Sequence, residues 1–276
     1  MTTTTHEAKL EVPGATLHYE VTGSGPVLLL IGGAPADGTI FAGMVPQLAD
    51  SFTVVTYDHR GYSRSSLNGE PEQQTVAVHA DDAHRLLAEL TTEPAHVVGL
   101  SGGALVGIAL ANAHPGQVRS LYTYEPAAID VLDDREAQLA TFADVVETYR
   151  AQGPFPAAGQ FIVAVGDTPP PMPEGEPSPE MLAMMGQMAK NFSLFFEHQL
   201  LPFISETPDV EALRATGVPV VWAVGEASQG QPCHRAGVAL AARYGAEVVQ
   251  LPGDHQAATT HPVEFAAAVR AAVTDA

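Results

Sequence analysis

The chain has 276 residues, 46% of them hydrophobic, and sets 12 Lys and Arg against 32 Asp and Glu for a formal net charge of −20. This balance argues against nucleic acid and anionic membrane surfaces as partners, because Lys and Arg supply the attraction to phosphates. The single cysteine, Cys233, leaves no internal disulfide framework and no cysteine-based zinc site.

A chain of this length suits one large domain with an insertion. The opening MTTTTHEAKL lacks a basic stretch followed by an apolar run, so it does not read as a signal peptide. The strongly apolar stretches fall short of the ~20 residues that span a bilayer, and a cytoplasmic protein is expected. Residues 8–12 and 15–22 read as an early hairpin. VLLLI (27–31) is a wholly apolar run, as in a strand buried on both faces. Residues 38–49 are weakly helical, and FTVVTY (52–57) is the next strand. A helix over about 75–91 carries Val76, His79, Ala83, Leu86, Leu87 and Leu90 near helical spacing. AHVVGL (95–100) is a strand, GGALVGIALANAH (102–114) a helix, and VRSLYTY (118–124) a sixth strand. This alternation predicts an α/β fold with a largely parallel sheet.

The rhythm breaks over 127–214. TPPPMPEGEPSP (168–179) reads as a non-helical connector, and MLAMMGQMAKNFSLFFEHQLL (181–201) is rich in Met and Phe. Strand–helix alternation resumes with VPVVWAV (218–224), a helix near 232–244, AEVVQLP (246–252) and a last helix over 261–274. The expected organisation is a core of residues 1–126 and 215–276 interrupted by a helical cap, 127–214.

Gly99-Leu100-Ser101-Gly102-Gly103 fits G-x-S-x-G between a predicted strand and a predicted helix, the setting of a nucleophile elbow. A serine needs a base. Of eleven histidines, His255 follows the strand 246–252 through Pro252-Gly253-Asp254, in a loop at the carboxyl end of a parallel strand, where this architecture places reacting groups. His261 is the alternative, although Pro262 makes it read as a helix start. Asp81-Asp82 read as a solvated helix face, and Cys233 as a packed small residue.

VLLLIGGAP, YDHRGYSRS, VVGLSGGA and LPGDHQAATTHPVEF together resemble the α/β-hydrolase superfamily over essentially the whole chain. The resemblance implies an eight-stranded, mostly parallel sheet with a helical cap inserted after the sixth strand. It implies Ser101 as nucleophile, His255 as general base, and the backbone N–H groups of Ala34 and Gly102 as oxyanion donors. Gly32-Gly33 stand where most members have His-Gly, which leaves the backbone donor in place. Asp58 and Arg60 correspond to a turn held by hydrogen bonds. The family's usual acid position, after the seventh strand, is Ser228 here, and a serine cannot stabilise an imidazolium as a carboxylate does. Two acids remain: Glu125, ending the sixth strand, is favoured over Glu226. A glutamate at that place, with Trp and no following Asp on the seventh strand, resembles the zearalenone lactonases, which open a macrolactone without a cofactor.

The expected function is a serine esterase or lactonase for a small hydrophobic substrate, with no metal and no organic cofactor. Met181, Met184, Met185, Met188, Phe192, Phe195 and Phe196 suggest an adaptable apolar wall over Ser101. Gly33, Met188, Phe192 and Phe195 are the candidate substrate contacts, and Trp222 belongs either with them or in the core. Carbon–carbon bond hydrolysis, cofactor-free peroxidase chemistry and a non-catalytic ligand receptor remain alternatives on the same fold. The resemblance also admits a homodimer.

Overall fold

The computed structural model describes residues 4–168 and 178–274. β1 (Thr5–Val12) and β2 (Ala15–Gly23) form the hairpin. They are followed by β3 (Val27–Ile31), β4 (Thr53–Tyr57), the two-residue β5 (Ser66–Leu67), β6 (Ala95–Leu100), β7 (Val118–Tyr124), β8 (Val220–Gly225) and β9 (Val248–Leu251). The sheet runs β1-β2-β4-β3-β6-β7-β8-β9, with β5 beside β2. Every pairing from β4 through β9 is parallel, and those of β2 are antiparallel. The eight expected strands are therefore present, and β5 is an addition too short to carry a period-two signal. The sixth expected strand is β7.

The apolar runs split by alternation between two cores. Leu29, Ile31, Val97 and Leu121 face one side, with helices Val76–Leu90, Gly102–Ala113 and Pro232–Tyr244. Leu28, Leu30, Val98, Tyr122 and Tyr124 face the other, with Phe265 and Val269 of helix Pro262–Thr274. All six residues of β6 are buried, so the strand carrying the serine is fixed from both sides. Each fully buried Val or Leu there contributes about 1.5–3 kcal/mol of transfer free energy.

Between β7 and β8 lie helices Arg135–Gln152, Pro154–Ala164 and Pro179–Leu194, a π-helical turn Phe195–Gln199, and helix Leu200–Ile204. Their buried Phe142, Phe195, Phe196 and Phe203 join the first core. Most of the Pro-rich stretch expected as a connector, residues 169–177, lies outside the described residues. Pro179, expected in it, instead opens a helix: Ser178 Oγ caps Met181 N at 3.2 Å, and a proline at the first helical position loses no hydrogen bond. Among the described residues, no helix is long and apolar enough to cross a membrane.

The turn after β4 is held as expected by Asp58, which accepts from Gly38 N and Arg64 N, both at 3.0 Å. Arg60 reaches further. Its Nε donates to Asp82 Oδ2 at 2.7 Å, and Asp82 is 1% exposed. Asp82 is therefore no solvated residue; only Asp81 stays at the surface, paired with Arg85. Removing one partner of a buried pair strands the other charge, so Asp82→Ala should cost about 3–5 kcal/mol. Urea denaturation would measure this, and a loss within 0.5 kcal/mol, the ~0.5 kcal/mol typical of surface changes, would contradict it.

Candidate active site

Ser101 joins β6 to helix Gly102–Ala113 in a sharp turn, at φ 53° and ψ −117°. A residue with a Cβ is strained there by about 1–3 kcal/mol. The neighbours make the turn passable only as glycines. A Cβ on Gly99 would fall 2.4 Å from the Gly103 carbonyl oxygen, and one on Gly103 would fall 2.3 Å from that of Ile31. Ser101 N donates to Tyr124 O at 2.9 Å, which ties the turn to the end of β7.

The loop after β3 closes on the same turn. A Cβ on Gly33 would lie 3.0 Å from Ser101 Cβ. A Cβ on Gly102 would lie 4.0 Å from Ala34 N, so the Ala34 amide lies beside Gly102. Gly102 opens its helix, where N–H groups have no partner within the helix. The loop is braced from below, where His59 Nε2 donates to Gly32 O at 2.9 Å. His59 Nδ1 lies 3.2 Å from His79 Nδ1, and His79 Nε2 lies 2.7 Å from Gln74 Oε1. Burial pushes both imidazoles below the usual histidine range, His79 furthest.

Glu125 follows β7 at φ 43° and is fully buried. Its Oε2 accepts from His255 Nδ1 at 2.7 Å. Its Oε1 accepts from Gly225 N at 2.9 Å and from the Ser228 hydroxyl. Burial alone would raise the carboxyl's pKa, but His255, Ser228 and Gly225 together hold it below the ordinary glutamate value. Burial would likewise lower His255, but the Glu125 carboxylate, joined by the charges of Asp167 and Asp254, outweighs it and raises the imidazole. With Nδ1 committed to Glu125, His255 keeps Nε2 for a second partner. Glu226 is exposed on the adjacent turn, where its backbone N–H pairs with Leu251 O at 2.9 Å. His261 instead lies at the start of the last helix, with Nδ1 2.9 Å from Thr260 Oγ1.

Ser101 and His255 border one cleft of about 480 Å³. Gly33, Ala34, Met188 and Phe192 line it as well. Phe195 instead lines a smaller, apolar recess that also borders Ser101. Among the described residues, no three His, Cys, Asp or Glu side chains are grouped to hold a metal ion.

The alpha/beta hydrolase fold family matches residues 26–163, half of the chain. This chain belongs to that family. The α/β hydrolase is 35% identical over 269 residues to an uncharacterized hydrolase, YraK, of Bacillus subtilis (strain 168), covering 95% of this chain and 94% of that protein. Among solved structures it is similar to a thermophilic esterase from Thermogutta terrifontis, with a TM-score of 0.76 and 23% identity over 98% of both chains. It is also similar to the enol-lactonase from Burkholderia xenovorans LB400, with a TM-score of 0.70 and 22% identity, covering 97% of this chain and 100% of the other.

One expected substrate contact is corrected. Trp222 of this α/β hydrolase is 1% exposed, packs 5.7 Å from the Tyr244 ring under helix Pro232–Tyr244, and borders neither space at Ser101. It lies three residues before the end of β8, on the sheet face and not at its rim. Trp222→Phe should leave KM for an ester unchanged within about twofold while lowering stability by about 1–3 kcal/mol. A KM shift of tenfold without loss of stability would return Trp222 to the site.

The roles of three residues at the site are not legible in the sequence. Ser228 supports Glu125 from the position the family gives to an acid; the signal was a hydroxyl residue there. Asp167 borders the cleft and accepts from Gln256 Nε2 at 2.9 Å, and burial raises its carboxyl above the usual range. Asn191 joins the insertion to the core, accepting from Ser63 N at 3.0 Å and donating to Pro35 O at 3.3 Å.

Proposed function

We propose that this protein is a serine hydrolase of carboxylic esters of apolar molecules, lactones included, acting through an acyl-enzyme. The reading rests on one observation: Ser101 and His255 border a common cleft while His255 is held through Nδ1 by the buried Glu125. In this reading His255 Nε2 takes the Ser101 proton as Oγ attacks the ester carbonyl. The N–H groups of Gly102 and Ala34 stabilise the oxyanion. The imidazolium, stabilised by Glu125, then protonates the departing alkoxide, and water attacks the acyl-enzyme by the reverse path. Among the described residues no Lys or Arg borders the cleft, whereas Asp37 and Asp167 do, which favours a neutral substrate over an anionic one. The esterase and enol-lactonase similarities lend support at the level of reaction class. A glutamate after β7, shared in the resemblance to zearalenone lactonases, makes a macrolactone one member of the proposed class.

The test is exposure to a serine-directed fluorophosphonate, followed by intact-mass and peptide analysis. One adduct on Ser101, with loss of p-nitrophenyl acetate hydrolysis in proportion, is the expected result. Full hydrolysis persisting in fully labelled protein would overturn the proposal.

A further inference from the structure

Two spaces meet at Ser101. One is the cleft of about 480 Å³. The other is a recess of about 30 Å³, walled by apolar side chains that include Phe142, Phe195, Leu200, Phe203 and Ile204. Ala34, Ser101, Phe161 and Val165 border both, but Gly102 borders only the recess and His255 only the cleft.

On the serine-hydrolase reading, we infer that the recess receives the acyl chain and the cleft receives the alcohol, so the preferred substrates are acetyl- or propionyl-sized esters of large apolar alcohols. The proton inventory fixes the direction. A departing alkoxide must be protonated within hydrogen-bond reach, and His255 is the one imidazole bordering either space among the described residues. The alcohol therefore leaves on the cleft side. With the carbonyl carbon at Ser101 and its oxygen toward Gly102 and Ala34, the acyl chain continues away from His255, into the recess.

Size then fixes the chain length. At about 10–15 Å³ per water-sized group, a space of about 30 Å³ has room for about two carbons. The five named walls are buried members of the main core, so further methylenes would force side chains from their packing. The cleft has the opposite character. Met184 and Met188, 57% and 41% exposed, form an unbranched, adaptable wall over it. In a macrocyclic lactone the acyl chain is tied to the alkoxy group and cannot end inside so small a recess. Open-chain acetates should accordingly surpass lactones of similar size.

An isomeric pair tests the assignment on the unaltered protein. 2-Phenylethyl acetate and methyl 3-phenylpropanoate have the same atoms and alkyl leaving groups, but the large group lies on opposite sides of the ester. The expected kcat/KM is at least ~100-fold higher for the acetate, the upper range for fit in a hydrophobic pocket. A p-nitrophenyl series should likewise fall steeply from acetate to hexanoate, and Leu200→Ala or Ile204→Ala, if folded, should restore the hexanoate. Equal rates for the pair, or preference for the methyl ester, would overturn the recess assignment and leave the hydrolase reading standing. Neither ester cleaved, together with no fluorophosphonate adduct on Ser101, would overturn both.

Discussion

Ser101→Ala is expected to lower kcat for p-nitrophenyl acetate by about 10⁵–10⁶-fold, with no fluorophosphonate adduct formed. The size of the effect follows from what is removed. Alanine keeps the Cβ and the positive φ of the turn, so the substitution adds no backbone strain and leaves the glycine contacts around it as they are. The substrate-facing walls are unchanged, and KM should move by less than about tenfold, as when a group acting mainly in the transition state is lost. What disappears, on the proposed mechanism, is the covalent route itself. The Gly102 and Ala34 N–H groups could still polarise a carbonyl toward water, which accounts for a residual acceleration of about 10³-fold over the uncatalysed reaction. Turnover by Ser101→Ala within tenfold of the parent would remove serine from the mechanism and, with it, the acyl-enzyme.

What was readable in the sequence follows how local the causes are. β3, β6 and β7 are apolar runs buried on both faces, and that property is written in consecutive residues. The turn at Ser101 is equally local, since the clashes that require glycine at 99 and 103 involve the same strand end, the same helix start and the end of β3. Non-local pairings were harder to read. Asp82 looks solvated beside Asp81 because its partner, Arg60, lies 22 residues away. Ser228 supports Glu125 across 103 residues, so a serine in place of an acid read as a loss when it is a donor to the carboxylate. Trp222 shows the limit of an all-apolar strand. In VVWAVG no polar alternation shows which residues face the helices and which approach the rim. The Glu125–His255 contact was within reach only because the missing Asp at 228 forced a search for another acid.

Glu125→Gln should lower kcat/KM by about 10³–10⁴-fold, while Glu226→Gln leaves it within twofold, the effect of a wrong imidazole tautomer against that of an exposed residue. The structure separates the two acids: Glu125 touches His255 Nδ1 at 2.7 Å, whereas Glu226 is exposed and pairs through its backbone. A glutamine can turn its amide toward Nδ1 and favour the tautomer that places the ring proton on Nε2, where it cannot accept from Ser101. The pH profile gives a readout that simple loss of packing would not. On the proposed mechanism hydrolysis requires neutral His255, so kcat/KM rises as the imidazolium deprotonates. In the parent, Glu125, with Asp167 and Asp254, outweighs the effect of burial and holds that pKa above the ordinary histidine value of about 6.5, so the acid limb lies correspondingly high. Without the Glu125 charge, burial is opposed only by Asp167 and Asp254, the lesser causes, and the residual activity of Glu125→Gln should show its acid limb shifted to lower pH. Ser228→Ala should shift the limb only slightly, since it removes one donor from Oε1 and leaves the carboxylate charge beside the ring. A limb that stays in place in Glu125→Gln, or one that moves in Glu226→Gln instead, would assign the imidazole's partner elsewhere. On the proposed mechanism the buried carboxylate matters because its charge helps set the pH at which the base is free to act, a function that a neutral group of the same shape cannot perform.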